Sequence, residues 1–306
     1  MANNIRLSAS RINTYLTCSM VFYYENLLNL PSKTHPKTLV GTLAHAIAEY
    51  IRKPKWKHLL DEMDCGDIIN YKGSKTITKL VDLFQQKYDI PFNLLDDING
   101  MLTVLFKHFD FWQKDAEKQY PPEFEFIFKV GDYELKGIID ALAEYKDQFI
   151  IIDYKTKGKV FSAKELNENI QSSIYQLFIY KKYGKLSKVQ FVMLRHAPTK
   201  LKPKKFLQEV PAKTPDQLMG VEQYLIEMGR FFNKFTYKDA LSGMCKDEGF
   251  CRYVCQFREK FTYLQVLDKN NQIVKNYLMS DLDKIVLKDG ERINIFRHEG
   301  CPKYNE

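Results

Sequence analysis

No stretch of this 306-residue chain approaches the roughly 18 uninterrupted apolar residues of a membrane-spanning helix, and the opening MANNIRLSAS lacks the apolar core of a signal peptide. A cytoplasmic protein with no membrane contact is expected. Cysteine is scarce: six residues, at 18, 65, 245, 251, 255 and 301, exclude a disulfide scaffold, although three of them cluster. Internal repeats and low-complexity tracts are missing. So is a complete phosphate-binding ATPase loop: KGSKT at 72–76 resembles its end, but Gly66 is not spaced to complete it. The chain is therefore not expected to be a motor.

What is present can fill a sizeable core. Hydrophobic residues make up 45% of the chain, enough for one large domain or two small ones. Forty-six Lys and Arg against 38 Asp and Glu leave a net charge of +8, a modest excess that favours polyanionic partners.

The segment ELKGIIDALAEYKDQFIIIDYKTKGK, residues 134–159, sets two carboxylates and a lysine inside two apolar, β-branched runs. Leu135 to Tyr145 and Gln148 to Lys155 read as an antiparallel hairpin around the polar YKDQ. If Lys146-Asp147 is a two-residue loop, Tyr145 opposes Gln148 and, counting outward, Asp140 opposes Asp153. Strand alternation places Lys155 on the face of Asp153. Opposed, desolvated carboxylates need a cation or a shared proton. A hard divalent ion suits them, with a lysine beside it to place a water and neutralise phosphate charge. A structural Asp-Lys pair, with Asp140 capping a bend, would give the same pattern.

Serines at the start of residues 8–30 cap a first helix; a break follows at Pro31 to Pro36, then a second helix in TLVGTLAHAIAEYIRK. Residues 75–119 suggest further helices interrupted near Pro91 and Gly100. EFEFIFKV, a Gly-Asp turn and the hairpin give a three-stranded meander, followed by a helix over about 165–183, the strand KVQFVMLRH, and a helix over 214–237. Residues 261–306 read as two small hairpins turning at Asn-Asn and Asp-Gly. The expected class is α/β: a small central mixed sheet flanked by helices in a domain of residues 1–260, with a β appendage at 261–306.

GTLAHAIAEY places Gly41, His45 and Glu49 on one helix face, and QSSIYQLFIY places Gln176 and Tyr180 on one face. In order, glycine-x3-histidine, GIID, IIDYKT and glutamine-x3-tyrosine resemble the PD-(D/E)XK nuclease superfamily, and within it the RecB-like exonuclease branch, over residues 8–257. That resemblance implies a restriction-endonuclease-like core and a metal-dependent DNA nuclease, with Mg²⁺ or Mn²⁺ held by His45, Asp140, Asp153 and the Tyr154 carbonyl. It makes Lys155 the catalytic lysine and sets Gln176 and Tyr180 beside the substrate. Gln171 and Tyr175 form a second such pair, out of phase; QLFIY is closer to the family pattern, which favours Gln176.

Some members of this branch hold a 4Fe-4S cluster on one N-terminal and three C-terminal cysteines. Cys18 stands in the first place and Cys245, Cys251 and Cys255 in the others, with zinc as the alternative ion for four thiolates. The trio is spaced x5 then x3, where the family has x2 then x5, and Ser19 replaces a common proline. Cys65 and Cys301 read as bystanders, although Cys301 could replace one of the four.

The expected substrate is DNA, preferably single-stranded ends, where bases stack on aromatics and phosphates meet lysines. Nineteen tyrosines and 21 phenylalanines supply the rings, most of them core residues, and TKLKPKKF at 199–206 is the best basic patch or else a solvated loop. A separate helicase or recombination protein is a possible partner. Two other readings share the motifs: a catalytically silent nucleic-acid-binding subunit and a CRISPR-associated adaptation nuclease.

Overall fold

The computed structural model describes residues 6–32, 36–203, 205–245, 248–253 and 255–304. Parts of the expected break at Pro31 to Pro36, and Lys204 of the basic patch, lie outside the described residues. The chain forms two compact units, one of residues 1–34 with 225–306 and one of residues 35–224. The first unit groups the first helices with the last strands.

In the first unit, helix α1 (Ala9–Thr17) starts where the Ser8 hydroxyl accepts from the Arg11 N–H. The expected continuous helix breaks at Cys18, whose extended backbone joins α1 to α2 (Ser19–Phe22) and a π-turn over Tyr23–Leu27. Ser19 explains the break: its N–H and hydroxyl donate to the Gly243 and Ala240 carbonyls, so a tertiary anchor replaces local helix bonds.

The second unit opens with α3 (Pro36–Arg52), proline at its first position. Its buried Val40, Leu43, Ala44, Ile47 and Ile51 recur every three or four residues and face the core. Helices α4 (Leu59–Met63), α5 (Lys75–Tyr88) and α6 (Phe92–Thr103) pack with it. Pro91 does interrupt the chain, as the N-cap of α6; Gly100 does not, and lies inside that helix.

Strand β1 (Lys118–Gln119) precedes a hairpin of β2 (Phe124–Val130) and β3 (Tyr133–Ile139) turning at Gly131-Asp132. Then come β4 (Ala141–Glu144), β5 (Phe149–Lys155), α7 (Ala163–Asn167), α8 (Ile170–Tyr183), β6 (Ser187–Met193) and β7 (Leu207–Val210). The sheet order is β1-β4-β5-β6-β7, with β5 and β6 parallel and the other pairs antiparallel. This is the expected mixed sheet flanked by helices.

The β4–β5 register is the one the two-residue loop dictates: Ala141 faces Ile152 and Glu144 faces Phe149. The three-stranded meander is not formed. The run 135–145 breaks at Asp140, and β2–β3 make a separate two-stranded sheet. Asp140 therefore lies in no ladder opposite Asp153. The expected helix over 165–183 is likewise two, the short α7 with a Ser162/Glu165 capping box and α8 capped by Asn169. One face of the sheet, with Ala141, Ile152, Tyr154 and Val192, packs on α3, α5 and α6. On the other side Phe178 of α8 stacks on Phe126 at 4.1 Å, and Tyr183 on Phe149 at 4.8 Å.

Helix α9 (Pro215–Asn233) leads back to the first unit, which holds α10 (Tyr237–Ser242), α11 (Glu248–Tyr253) and the strands β8 (Phe261–Leu267), β9 (Ile273–Leu278) and β10 (Arg292–His298). The hairpin at Asn270-Asn271 forms as expected, with Asp268 accepting from the Asn270 and Gln272 N–H groups. The second hairpin does not. β10 pairs with β8, giving the order β10-β8-β9, because β8 is buried and has a free edge, whereas Val286 in the expected partner run is 89% exposed. Within this unit Asn276 donates to the Leu28 and Asn29 carbonyls, tying the last strands to the first helices.

Candidate metal centre and active site

Four elements of the second unit meet around Asp140. The residue sits at the bend between β3 and β4, and its Oδ2 accepts from the Tyr154 N–H of β5 at 2.5 Å. A side-chain oxygen thus takes the place of a ladder carbonyl, which is the physical reason the strand breaks there. Asp140 Oδ1 lies 3.4 Å from His45 Nδ1. His45 is delivered by α3, which approaches the sheet closely because residue 41 is glycine: a Cβ there would stand 2.3 Å from Thr156 Oγ1.

Glu123 completes the group. Its φ of +52° turns the chain just before β2, and its N–H donates to the Asp140 carbonyl at 3.2 Å. One donor atom each from His45, Glu123 and Asp140 lie within 4.8 Å of one another. The electrostatics show crowded negative charge. Burial and the neighbouring Asp140 carboxylate push Glu123 up to about 7, His45 opposing. Burial disfavours the His45 cation, yet Asp140, Asp153 and Glu123 outweigh it and raise His45 to about 9. A carboxylate pair and an imidazole converging in this way form a hard-ligand set that fits Mg²⁺, or Mn²⁺ with its greater tolerance of nitrogen.

Asp153 and Lys155 occupy the adjoining stretch of β5. Asp153 is buried, its Oδ2 in ion contact with Lys155 Nζ at 2.6 Å. Burial pushes its carboxyl up, with Lys155 opposing and Asp140 adding to the rise. Gln171 of α8 bridges the pair: its Nε2 donates to Asp153 Oδ1 at 2.6 Å, and its Oε1 accepts from Lys155 Nζ at 2.7 Å. The Gln171 amide also donates to Tyr175 Oη at 2.6 Å, and Tyr175 in turn donates to the Ile138 carbonyl.

The sequence favours Gln176 and Tyr180, whereas it is Gln171 and Tyr175 that the structure brings together with Asp153 and Lys155. The Gln176 amide donates to the Pro211 carbonyl at 3.1 Å and accepts from the Lys213 N–H at 2.8 Å, fastening α8 to the loop before α9. Five residues on from Gln171, helical geometry turns a side chain by about 140°. Tyr180 lies in the last turn, where its carbonyl accepts from the Gly184 N–H that closes α8. Tyr154 joins the site through its backbone, while its hydroxyl accepts from Arg52 at 3.2 Å. Arg52, also unforeseen, is buried with its guanidinium 4.4 Å from the Phe111 ring centre. Glu49 pairs with Lys53 at 2.7 Å.

A second grouping lies in the first unit. Cys18, Cys245, Cys251 and Cys255 line one cavity with Met20, Val21 and Tyr24, and none is in a disulfide. Cys301, read as a bystander, lines the same cavity, whereas Cys65 is exposed. Burial raises Cys255 to about 11; the Phe257 N–H opposes, and Cys18, Cys251 and Cys301 add to the rise. Cysteines outside any disulfide and lining one cavity are the donor chemistry of a thiolate-bound cluster.

A mixed sheet with a split acidic motif, a histidine on the first long helix and a lysine two residues past the second acid brings together side chains that can hold a divalent ion beside a phosphodiester. A profile of the PD-(D/E)XK nuclease superfamily matches residues 6–259, most of the sequence, and the chain belongs to that superfamily. It is a nuclease of a group that generally uses divalent metals, and its substrate is nucleic acid. Among solved structures, it is similar to a candidate exonuclease from Eubacterium rectale, with 10% identity over 82% of this chain and 94% of the other, at a TM-score of 0.45. It is also similar to protein VC1899 from Vibrio cholerae, with 14% identity over 72% of this chain and 57% of that one, at a TM-score of 0.25. No curated protein matches it. Among the described residues, no helix is long and apolar enough to cross a membrane.

Proposed function

We propose that this nuclease is a Mg²⁺- or Mn²⁺-dependent exodeoxyribonuclease of the RecB-like branch that degrades DNA from single-stranded ends. The observation that carries the reading is the convergence of His45, Glu123 and Asp140 next to the Asp153–Gln171–Lys155 bridge. A divalent ion, when bound, polarises the scissile phosphate and acidifies a water. His45, Glu123, Asp140 and Asp153, with the Tyr154 carbonyl, are the residues that would hold it. Lys155 places a positive charge where phosphate charge grows, and Gln171 fixes its ammonium against Asp153. The net charge of +8 supports a polyanionic substrate, and Lys157 and Lys159 extend the basic stretch just past Lys155. With no ATPase loop of its own, the chain would take its ends from a separate helicase or recombination protein in the cytoplasm. Cys18 and the C-terminal cysteines would hold a 4Fe-4S cluster, or zinc, as a structural staple within the first unit.

The test is cleavage of end-labelled single-stranded, blunt double-stranded and closed circular DNA with Mg²⁺, Mn²⁺ or EDTA. Metal-dependent release of short products from single-stranded ends supports the reading. Attack on closed circles at an equal rate would refute the exonuclease assignment, and metal-free cleavage would refute the metal.

A further inference from the structure

Cys301 lies near the end of the chain and far in sequence from the other thiols, yet it is 8% exposed and lines the cavity of Cys18, Cys245, Cys251 and Cys255. Its segment is fastened to the stretches that carry those cysteines. The Cys301 N–H donates to the Arg258 carbonyl at 3.1 Å, three residues past Cys255. Lys303 Nζ donates to the Cys245 carbonyl at 3.0 Å, and the Tyr304 hydroxyl hydrogen-bonds the Cys251 side chain. Tyr24 donates to the Gly300 carbonyl at 3.4 Å, six residues past Cys18. Gly300 has φ +89°, a conformation that favours glycine, and Pro302 restricts Cys301 to extended backbone. The turn is thus specified on both sides of the thiol.

Such placement is more than core packing needs. A buried bystander thiol requires apolar neighbours, which Met20, Val21 and Phe257 of this cavity already are. It does not require separate bonds to the Cys245, Cys251 and Cys255 segments. We propose that Cys301 is a coordinating thiol of this metal site, so that four of the five clustered sulfurs, Cys301 among them, hold the cluster or ion. The proposal rests on the metal-staple reading above. It gives the C-terminal strands a role: β8, β9 and β10 lie between Cys255 and Cys301, so coordination at both ends closes a loop around that sheet.

The experiment uses full-length protein purified anaerobically as wild type, Cys301→Ser, Cys245→Ser and Cys65→Ser. Iron, acid-labile sulfide and zinc per chain are measured along with visible absorption. Thiol alkylation of folded wild-type protein is mapped by mass spectrometry before and after metal removal. Cys301→Ser should lose most of the metal while Cys65→Ser keeps it, and Cys301 should become alkylated only after metal removal. Because Cys301→Ser could fold poorly, the alkylation map of the wild type is an independent readout. Full metal content in Cys301→Ser, or equal Cys301 labelling in loaded and stripped wild type, would overturn the proposal and leave a four-cysteine staple standing. Wild-type protein without metal would overturn both.

Discussion

The Asp140 carboxylate accepts the Tyr154 backbone N–H at 2.5 Å while facing His45 at 3.4 Å through its other oxygen. One side chain therefore ends a strand and supplies charge to the metal centre, and the two roles can be separated by substitution.

Asp140→Asn keeps an acceptor for Tyr154 and removes the charge, so in EDTA it should be as stable as wild type or more so, and it should be inactive. Asp140→Ala leaves the Tyr154 N–H without its partner and should lose about 1–3 kcal/mol. Urea midpoints in EDTA, with cleavage measured in Mn²⁺, check both. Equal stability of the two variants would remove the structural role.

The two glutamines of α8 should fail in different ways. Gln171→Ala loosens Asp153 and Lys155 and should lower kcat on the order of 10- to 100-fold, as loss of a residue orienting metal-site groups does, with little change in unfolding midpoint. Gln176→Ala strips partners from Pro211 and Lys213 and should cost about 1–3 kcal/mol with specific activity retained. The reverse pattern would restore the sequence-based preference for Gln176.

That preference shows where the sequence stops being legible. The α8 residues from Ser172 to Ile179 are all buried, so polarity gives no phase from which to choose between overlapping glutamine-tyrosine pairs. The β4–β5 register was legible because a two-residue turn fixes it. Strand spacing singled out Asp153 and Lys155 and the family resemblance singled out His45; the structure sets the first two in contact and His45 against Asp140. For Asp140 the sequence left two readings, a strand residue opposite Asp153 and a cap at a bend; the structure has the bend, and its hydrogen bond to Tyr154 is tertiary, so local pattern could not choose. Glu123 gave no signal: it follows Pro121-Pro122 in an irregular segment, and only a left-handed backbone turns it toward Asp140. The Asp-Gly turn at 289–290 misled because the exposed run before it offers β10 less than the buried β8 does.

Gly41 offers a test of how α3 is placed. In an exposed helix, glycine to alanine gains up to about 1 kcal/mol. Here the new methyl meets Thr156, so Gly41→Ala should instead be destabilising by about 1–3 kcal/mol and should reduce activity by shifting His45. Thr156→Ala in the same chain should recover part of both. A cycle with no coupling between the two sites would show that the close approach has no energetic weight.

Glu123 was absent from the sequence-based ligand set and gives the most discriminating prediction about the metal. Without an ion, the Glu123 and Asp140 carboxylates repel each other, so Glu123→Gln should unfold at equal or higher temperature than wild type in EDTA. With an ion, the sign should reverse. A ligand that binds only the folded state at about 100 times its Kd adds about 2.7 kcal/mol. Wild type should gain stability of that order in saturating Mn²⁺, and Glu123→Gln should gain less at the same concentration because its Kd is raised about tenfold or more, each tenfold being about 1.4 kcal/mol. Thermal unfolding across a Mn²⁺ titration measures both limbs in one series. Identical Mn²⁺-induced shifts in the two proteins would remove Glu123 from the metal centre and return the ligand set to His45, Asp140 and Asp153.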